Sequence, residues 1–368
     1  MMKITLLLLT LLSEQHLSKA TGWSWSPLSA ADGAVPRVSG HTSATITADG
    51  TKSSASVLLF GGLTGAAGSP TTNDLWQFDC QSDKWIKLLD NNKSLSSCPR
   101  RRMYAASATL GRKFYIFGGW DPGMPGSGGE FLDDIWSFDL VSKQWSEEMA
   151  KLPFPVSRHA AVTMGNRVII HTFRGVLIFD DKDGGTIIYE QPTAPCNNGD
   201  GASPESLSMC AMAALGDDKV VLFGGSDKKQ QISSELFVLD TKDWTWTKLV
   251  CPVVDTRPTA LASASMAPLS KDSCIVFGGA GLAPTGYEGG YGLVPRDDTW
   301  ICTIKKETNA VEWERIECDR RPEARLAATL NCLDNNDSGG KFLLAGGYDS
   351  VSKGTFSEPW ILSVVSED

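Results

Sequence analysis

Five times along the chain a short apolar run ends in Gly-Gly: VLLFGG at 57–62, FYIFGG at 114–119, VVLFGG at 220–225, CIVFGG at 274–279 and FLLAGG at 342–347. A stretch that usually joins an acidic residue to Trp follows each one. The second glycines at 62 and 119 stand 57 residues apart, and those at 119 and 225 stand 106 apart, about two periods. Self-similarity on this scale marks a repeat architecture. The double interval predicts a degenerate copy at 158–190, where RHAAVTM, VIIHTFRG, VLIFD and IIYE stand in order and the glycine pair has decayed.

The second repeat shows the unit. Residues 103–110 (MYAASATL) read as a strand of small residues, 114–117 as a short apolar strand, and 133–139 (DDIWSFD) as an alternating, half-buried strand. Gln144-Trp145 supplies a fourth. Four short antiparallel strands per period describe one propeller blade. Small residues suit the crowded axis where blades converge, and paired glycines suit a tight exit from the second strand. The Trps at 85, 145, 246 and 313 recur on the fourth strand, where a large ring fills the gap between twisted sheets. The last copy ends without a fourth strand, yet Trp23-Ser24-Trp25 matches Trp244-Thr245-Trp246. The expected fold is therefore all-β, a six-bladed propeller whose last blade is closed by the N-terminal strand. Closure removes exposed sheet edges.

A formal charge of −9 without a Lys/Arg block disfavours a nucleic-acid surface, because phosphate binding needs clustered positive charge. Lys3, the apolar run 4–12 and Ser18-Lys19-Ala20 read as a signal peptide over residues 1–20, with the propeller at 21–368. A nine-residue run is too short to span a bilayer. The expected location is secreted or in the secretory lumen, with cytoplasmic as the alternative. Nine cysteines leave at least one unpaired; Cys196 with Cys210 is a conceivable bridge, and Cys274 and Cys302 read as buried free thiols. No His-x-His or Cys-x-x-Cys spacing occurs, and 181–185 (DKDGG) lacks the full ligand pattern of a calcium loop. No cofactor or metal is implied.

The Gly-Gly doublet, the following acidic-x-Trp strand and the later Trp together resemble the kelch repeat, over residues 23–364. The resemblance implies a binding platform that in some relatives is an enzyme. Kelch-type galactose oxidase holds copper with two Tyr and two His; here His41, His159 and His171 fall on three different strands. Kelch-type sialic-acid mutarotases use a channel carboxylate with arginine support, and Glu323 beside Arg325 is the nearest counterpart. The reading is a monomeric, non-catalytic binding module without a membrane span. A carbohydrate-processing enzyme is the alternative.

The loops between strands two and three should emerge on one face with the connections between blades, and long loops on a rigid scaffold are where binding sits. The candidates there are Trp120 with Asp121, Tyr348 with Asp349, and Tyr287, Tyr291 and Arg296 in the longest loop. Aromatics beside Arg make interface hot spots. Arginines recur where inner strands begin, at 37, 100–102, 158, 257, 321 and 325; facing the channel, Arg102, Arg158 and Arg325 would form a positive ring for an acidic peptide or anionic sugar. The competing reading pairs them with Asp74, Asp134 or Asp298 of the neighbouring blade.

Overall fold

In the computed structural model the small-residue, apolar and acid–Trp stretches of each repeat become the first three strands of one antiparallel sheet. The structure describes residues 22–28, 34–47, 55–66, 68–89, 98–123, 128–182, 185–190, 204–252, 256–284, 292–305, 308–336, 339–350 and 354–365. The residues assigned to a signal peptide, Cys196, Tyr287 and Tyr291 lie outside them.

Six four-stranded sheets form the blades. Blade one runs Thr42–Thr47, Ala55–Phe60, Leu75–Asp79 and Lys84–Leu89. Blades two to five follow in order, with inner strands at Ala106–Leu110, Ala160–Met164, Ala211–Leu215 and Ser265–Pro268. The degenerate repeat is blade three, with strands Ala160–Met164, Arg167–Thr172, Gly175–Asp180 and Thr186–Glu190. Blade six takes Thr329–Asn336, Gly339–Ala345 and Trp360–Val365 from the end of the chain, and its fourth strand is Gly22–Pro27. That strand pairs with Trp360–Val365 from Gly22 opposite Val365 to Pro27 opposite Trp360. The predicted closure is observed.

Small hydroxyl residues knit the inner strands of adjacent blades. Thr45 donates to the Cys332 carbonyl at 2.9 Å and Thr109 to the Thr45 carbonyl at 3.1 Å. Thr163 donates to the Thr109 carbonyl at 2.7 Å, and its hydroxyl accepts from the Thr109 amide. Larger side chains there would separate the sheets.

Farther out, the fourth-strand Trp of one blade meets the residue that precedes the glycine pair in the blade before it. Ring centroids are 5.3 Å apart for Trp145 and Phe60, 5.1 Å for Trp313 and Phe223, and 5.3 Å for Trp25 and Phe277. Tilted and edge-on contacts of this kind add to the area that the rings bury. Cys274 and Cys302 are free thiols, buried directly opposite each other in blade five.

Trp25 is 2% exposed and donates its indole N–H to Thr299 of blade five at 3.0 Å, so the closing strand also grips the next sheet. Trp25→Ala should therefore cost about 3–5 kcal/mol in chemical denaturation. Deleting residues 21–30 should lower the melting temperature further, by opening the ring. An unchanged melting temperature after the deletion would contradict the closure.

Candidate functional site at the channel mouth

Just before each inner strand, one residue adopts the left-handed backbone region: Gly40, Tyr104, Arg158, Met209, Ser263 and Ala327, with φ between 53° and 60°. In this conformation each amide points sideways along the ring. Tyr104 N–H donates to the Gly40 carbonyl, Arg158 to Tyr104, Met209 to Arg158, Ser263 to Met209, Ala327 to Ser263 and Gly40 to Ala327, at 2.6–3.1 Å. Six main-chain bonds thus form a closed circle around the channel mouth.

The glycine pairs latch onto this circle from outside. The second glycine donates its N–H to the residue two before the next blade's ring position: Gly62 to Arg102, Gly119 to Val156, Gly225 to Leu261, Gly279 to Arg325 and Gly347 to Val38, at 2.8–3.0 Å. The first glycine passes so close to the same carbonyl that a Cβ on Gly224 would sit 2.3 Å from the Leu261 oxygen. A side chain has no room there, which explains the doublet.

Blade three lacks the doublet and uses another link. Thr172 pairs with Gly175 across a two-residue hairpin, Phe173-Arg174, in place of a long loop. His171 takes the position of the phenylalanine, lies edge-on to Trp246 at 6.1 Å and donates Nε2–H to the Pro204 carbonyl at 2.8 Å. A carbonyl only accepts, so the neutral imidazole carries its proton on Nε2.

Below the circle a cavity of about 220 Å³ opens to solvent, lined by the ring residues and the first residues of all six inner strands. Arg158 is the arginine among its described lining residues. Its guanidinium lies 5.0 Å from the Tyr104 ring centroid and has no ion-pair partner among the described residues. Burial raises the pKa of the Tyr104 hydroxyl, Arg158 opposes this, and nearby Tyr348 adds to it. Tyr104, Arg158 and Tyr348 therefore share one neighbourhood.

The arginine ring expected from the sequence is not formed. Arg102 and Arg325, each 1% exposed, occupy the place that Val38, Val156, Leu207 and Leu261 take in the other blades. Arg102 binds Asp134 of its own blade through both Nη atoms at 2.6 and 2.8 Å and the Gly118 carbonyl at 2.8 Å. Burial pushes the Asp134 carboxyl up, but Arg102 and the Trp136 indole outweigh this and hold it below its ordinary value. Arg325 donates to the Gly346 and Glu323 carbonyls and stacks 3.9 Å from Phe356, and burial pulls it down to about 10. Asp74 and Asp298 pair with Lys87 and Arg315, again within their own blades rather than across a gap. Arg37, Arg100 and Arg321 are held by Thr355, Glu130 and Asp297. Glu323 is exposed and is not among the residues that line the mouth cavity.

The aromatic candidates belong to strand extensions rather than free loops. Trp120 pairs with Phe131 and Asp121 with Glu130, while the Trp120 backbone also bridges Met103. Asp121 is 9% exposed, caps the Gly123 amide at 2.9 Å and lies 3.4 Å from Arg101. Tyr348 and Asp349 pair with Thr355 and Gly354, and Tyr348 bridges Leu326. Arg296 is half-buried; its amide donates to Gly279, its side chain runs beside Gly281, and its Nε lacks a hydrogen-bond acceptor. Sequence reasoning missed Tyr104, although its place matches Gly40 of the first repeat.

Residues 10–182 match the family model described as the KLHDC2/KLHL20/DRC7 Kelch-repeats domain, and residues 208–252 match the Kelch motif. Host cell factor 2 of Homo sapiens is 29% identical over 171 residues, 42% of this chain and 20% of that protein. Acyl-CoA-binding domain-containing protein 4 of Arabidopsis thaliana is 24% identical over 205 residues, 50% of this chain and 28% of that protein. The chain thus spans well under half the length of these two relatives. The solved structure of YjhT is similar with a TM-score of 0.62 and 17% identity, covering 88% of this chain and 95% of that one. That likeness shows the fold.

Burial lowers His41 from 6.5 to about 3, and lowers His159 and His171 to about 4. Each folded value lies below the unfolded one, so the unfolded chain takes up protons first as pH falls. The stability that neutral histidine contributes is complete above pH 6.5 and is lost as pH falls from there towards 4. Each histidine should weaken the fold by about 1.4 kcal/mol per pH unit in that window. Denaturation at stepped pH should show the decline, and His159→Leu should remove about a third of it.

Proposed function

Because the chain belongs to the kelch-repeat β-propeller family, we propose that it is a non-catalytic binding module that takes an acidic segment of a protein partner at the channel mouth. The observation that carries this reading is the Arg158 guanidinium, stacked on Tyr104 at the edge of the cavity without an ion-pair partner among the described residues. A planar cation already stacked on a ring loses little freedom when it takes up a carboxylate in two hydrogen bonds. Arginine beside an aromatic ring is also the composition that concentrates binding energy at interfaces.

Neighbouring geometry supports the same face. The extension ending at Asp121 and Glu130 rises beside the mouth on blade two, and the short ribbon of Tyr348 and Asp349 stands on blade six. Blade three joins its second and third strands by a two-residue hairpin, so among the described residues that connection adds no loop above Arg158.

The test uses the purified protein, a panel of acidic peptides and a panel of anionic sugars, read by thermal shift and then fluorescence polarisation. Peptide binding should weaken with salt, and Arg158→Ala should lower affinity at least tenfold, about 1.4 kcal/mol, with the melting temperature unchanged. Undiminished peptide binding by Arg158→Ala would sink this reading. Stabilisation by sugars alone would replace it with carbohydrate recognition.

A further inference from the structure

In blade five, Cys274 of the second strand (Ser273–Phe277) stands directly opposite Cys302 of the third (Thr299–Lys305). Inert apolar side chains fill the matching pair of positions elsewhere: Phe114 with Phe138 in blade two, Val220 with Leu239 in blade four and Phe342 with Leu362 in blade six. Residues directly opposite each other point to one face of a sheet. Both thiols are 0% exposed and belong to the apolar cluster between blades four and five, with Val221, Val238 and Leu249. Hydrogen bonding with Cys274 and, second to it, burial push the Cys302 thiol well above its ordinary value. Cys302 thus keeps its proton, and its sulfur lies within hydrogen-bond reach of Cys274.

The ladder fixes the spacing of the pair. The Ile304 amide donates to the Asp272 carbonyl at 2.9 Å and the Gly278 amide to the Asp298 carbonyl at 3.0 Å. Every second pair between them, Cys274 with Cys302 included, is therefore of the hydrogen-bonded kind. In such a pair the Cα atoms lie about 5.5 Å apart, within the range that a disulfide spans. The Cβ atoms, about 5 Å apart, have to close by about 1 Å to reach disulfide spacing. A bridge made in this way carries strain and is easily reduced.

We propose that Cys274 and Cys302 form a redox modification site, a reversible disulfide across the second and third strands of blade five, with a hydroperoxide as the oxidant. Hydrogen peroxide transfers one oxygen to the first thiol, which becomes a sulfenic acid, and leaves as water. The second sulfur attacks the sulfenic sulfur, and the displaced hydroxide takes up the second thiol's proton and leaves as water. Two thiols and one hydrogen peroxide thus give one disulfide and two waters. Access comes through the cavity of about 340 Å³ between blades four and five, whose lining residues Val238, Leu249 and Ile304 pack in the same cluster as the pair. The proton held on Cys302 and the covering side chains make the reaction slow, so the site responds to sustained peroxide. The bridge ties together the two strands whose Phe277 and Thr299 hold Trp25 of the closing strand. It does not depend on what binds at the mouth.

The folded full-length protein would be incubated with millimolar hydrogen peroxide, blocked with iodoacetamide without reductant, digested and mapped by mass spectrometry. The expected product is a cross-linked pair of peptides carrying Cys274 and Cys302, lighter than the two thiol peptides by about 2 Da and lost after dithiothreitol. Cys274→Val should abolish the link and leave Cys302 as a thiol. Four results would overturn the proposal: both cysteines recovered as thiols after prolonged exposure, oxidation of either to sulfinic acid without a link, a link from either to Cys251 instead, or a link that forms only in urea.

Discussion

The circle of main-chain bonds at the channel mouth is the constraint on which the rest of the propeller depends. Each bond joins the lead-in of one blade to that of the blade before it, and the glycine-pair latches fix the same lead-ins from outside. The geometry demands positive φ at all six positions, and five of the residues that meet it are not glycine. A non-glycine residue in that region carries a cost of about 1–2 kcal/mol and persists only where its surroundings over-determine it. Here they do so twice, through the ring bonds and through the latch from the preceding glycine pair. A ring held in this way must close, and so the N-terminal strand completes the last sheet.

Blade three shows which parts of the repeat are required and which are replaceable. The doublet exists because the chain leaves the second strand past a neighbour's carbonyl, with no room for Cβ. Where the chain turns back at once through Phe173-Arg174, that passage does not occur and threonine is accommodated, its hydroxyl bonded to the Gly175 carbonyl. The missing main-chain latch is taken over by His171, which fills the phenylalanine's place against Trp246 and supplies a donor to Pro204. One substitution keeps the packing and restores the link, at the cost of a group that weakens the fold when protonated.

Most of the fold was legible because it rests on short-range sterics. Glycine pairs, small inner strands, recurring Trps and the Trp23-Ser24-Trp25 match all record local fit, and all appear in the structure as read. The site was less legible, because its residues differ in meaning over a distance of two positions. Arg102 and Arg325 stand where the other blades bury valine or leucine, whereas Arg158 stands on the ring itself. In the sequence all three are arginines near the start of an inner strand. Counting each back from its own small-residue strand would have separated them, and the same count would have placed Tyr104 beside Arg158. The strand extensions holding Trp120 and Tyr348 were read as loops, since glycine-rich composition hides pairing that the backbone alone supplies.

The acidic character of the whole chain does not oppose an anion at the mouth. Several of its carboxylates are committed within blades: Asp134 to Arg102, Asp74 to Lys87, Asp298 to Arg315 and Asp240 to Lys219. What remains is spread over a surface on which charges are screened beyond about 8 Å at physiological salt. A ligand at the mouth therefore responds to the groups within one or two contacts of it, and the described residues lining that cavity include one guanidinium and no carboxylate. Net charge governs how partners approach from a distance. The ring position, where the fold fixes the backbone and leaves the side chain free to vary, governs what they meet on arrival.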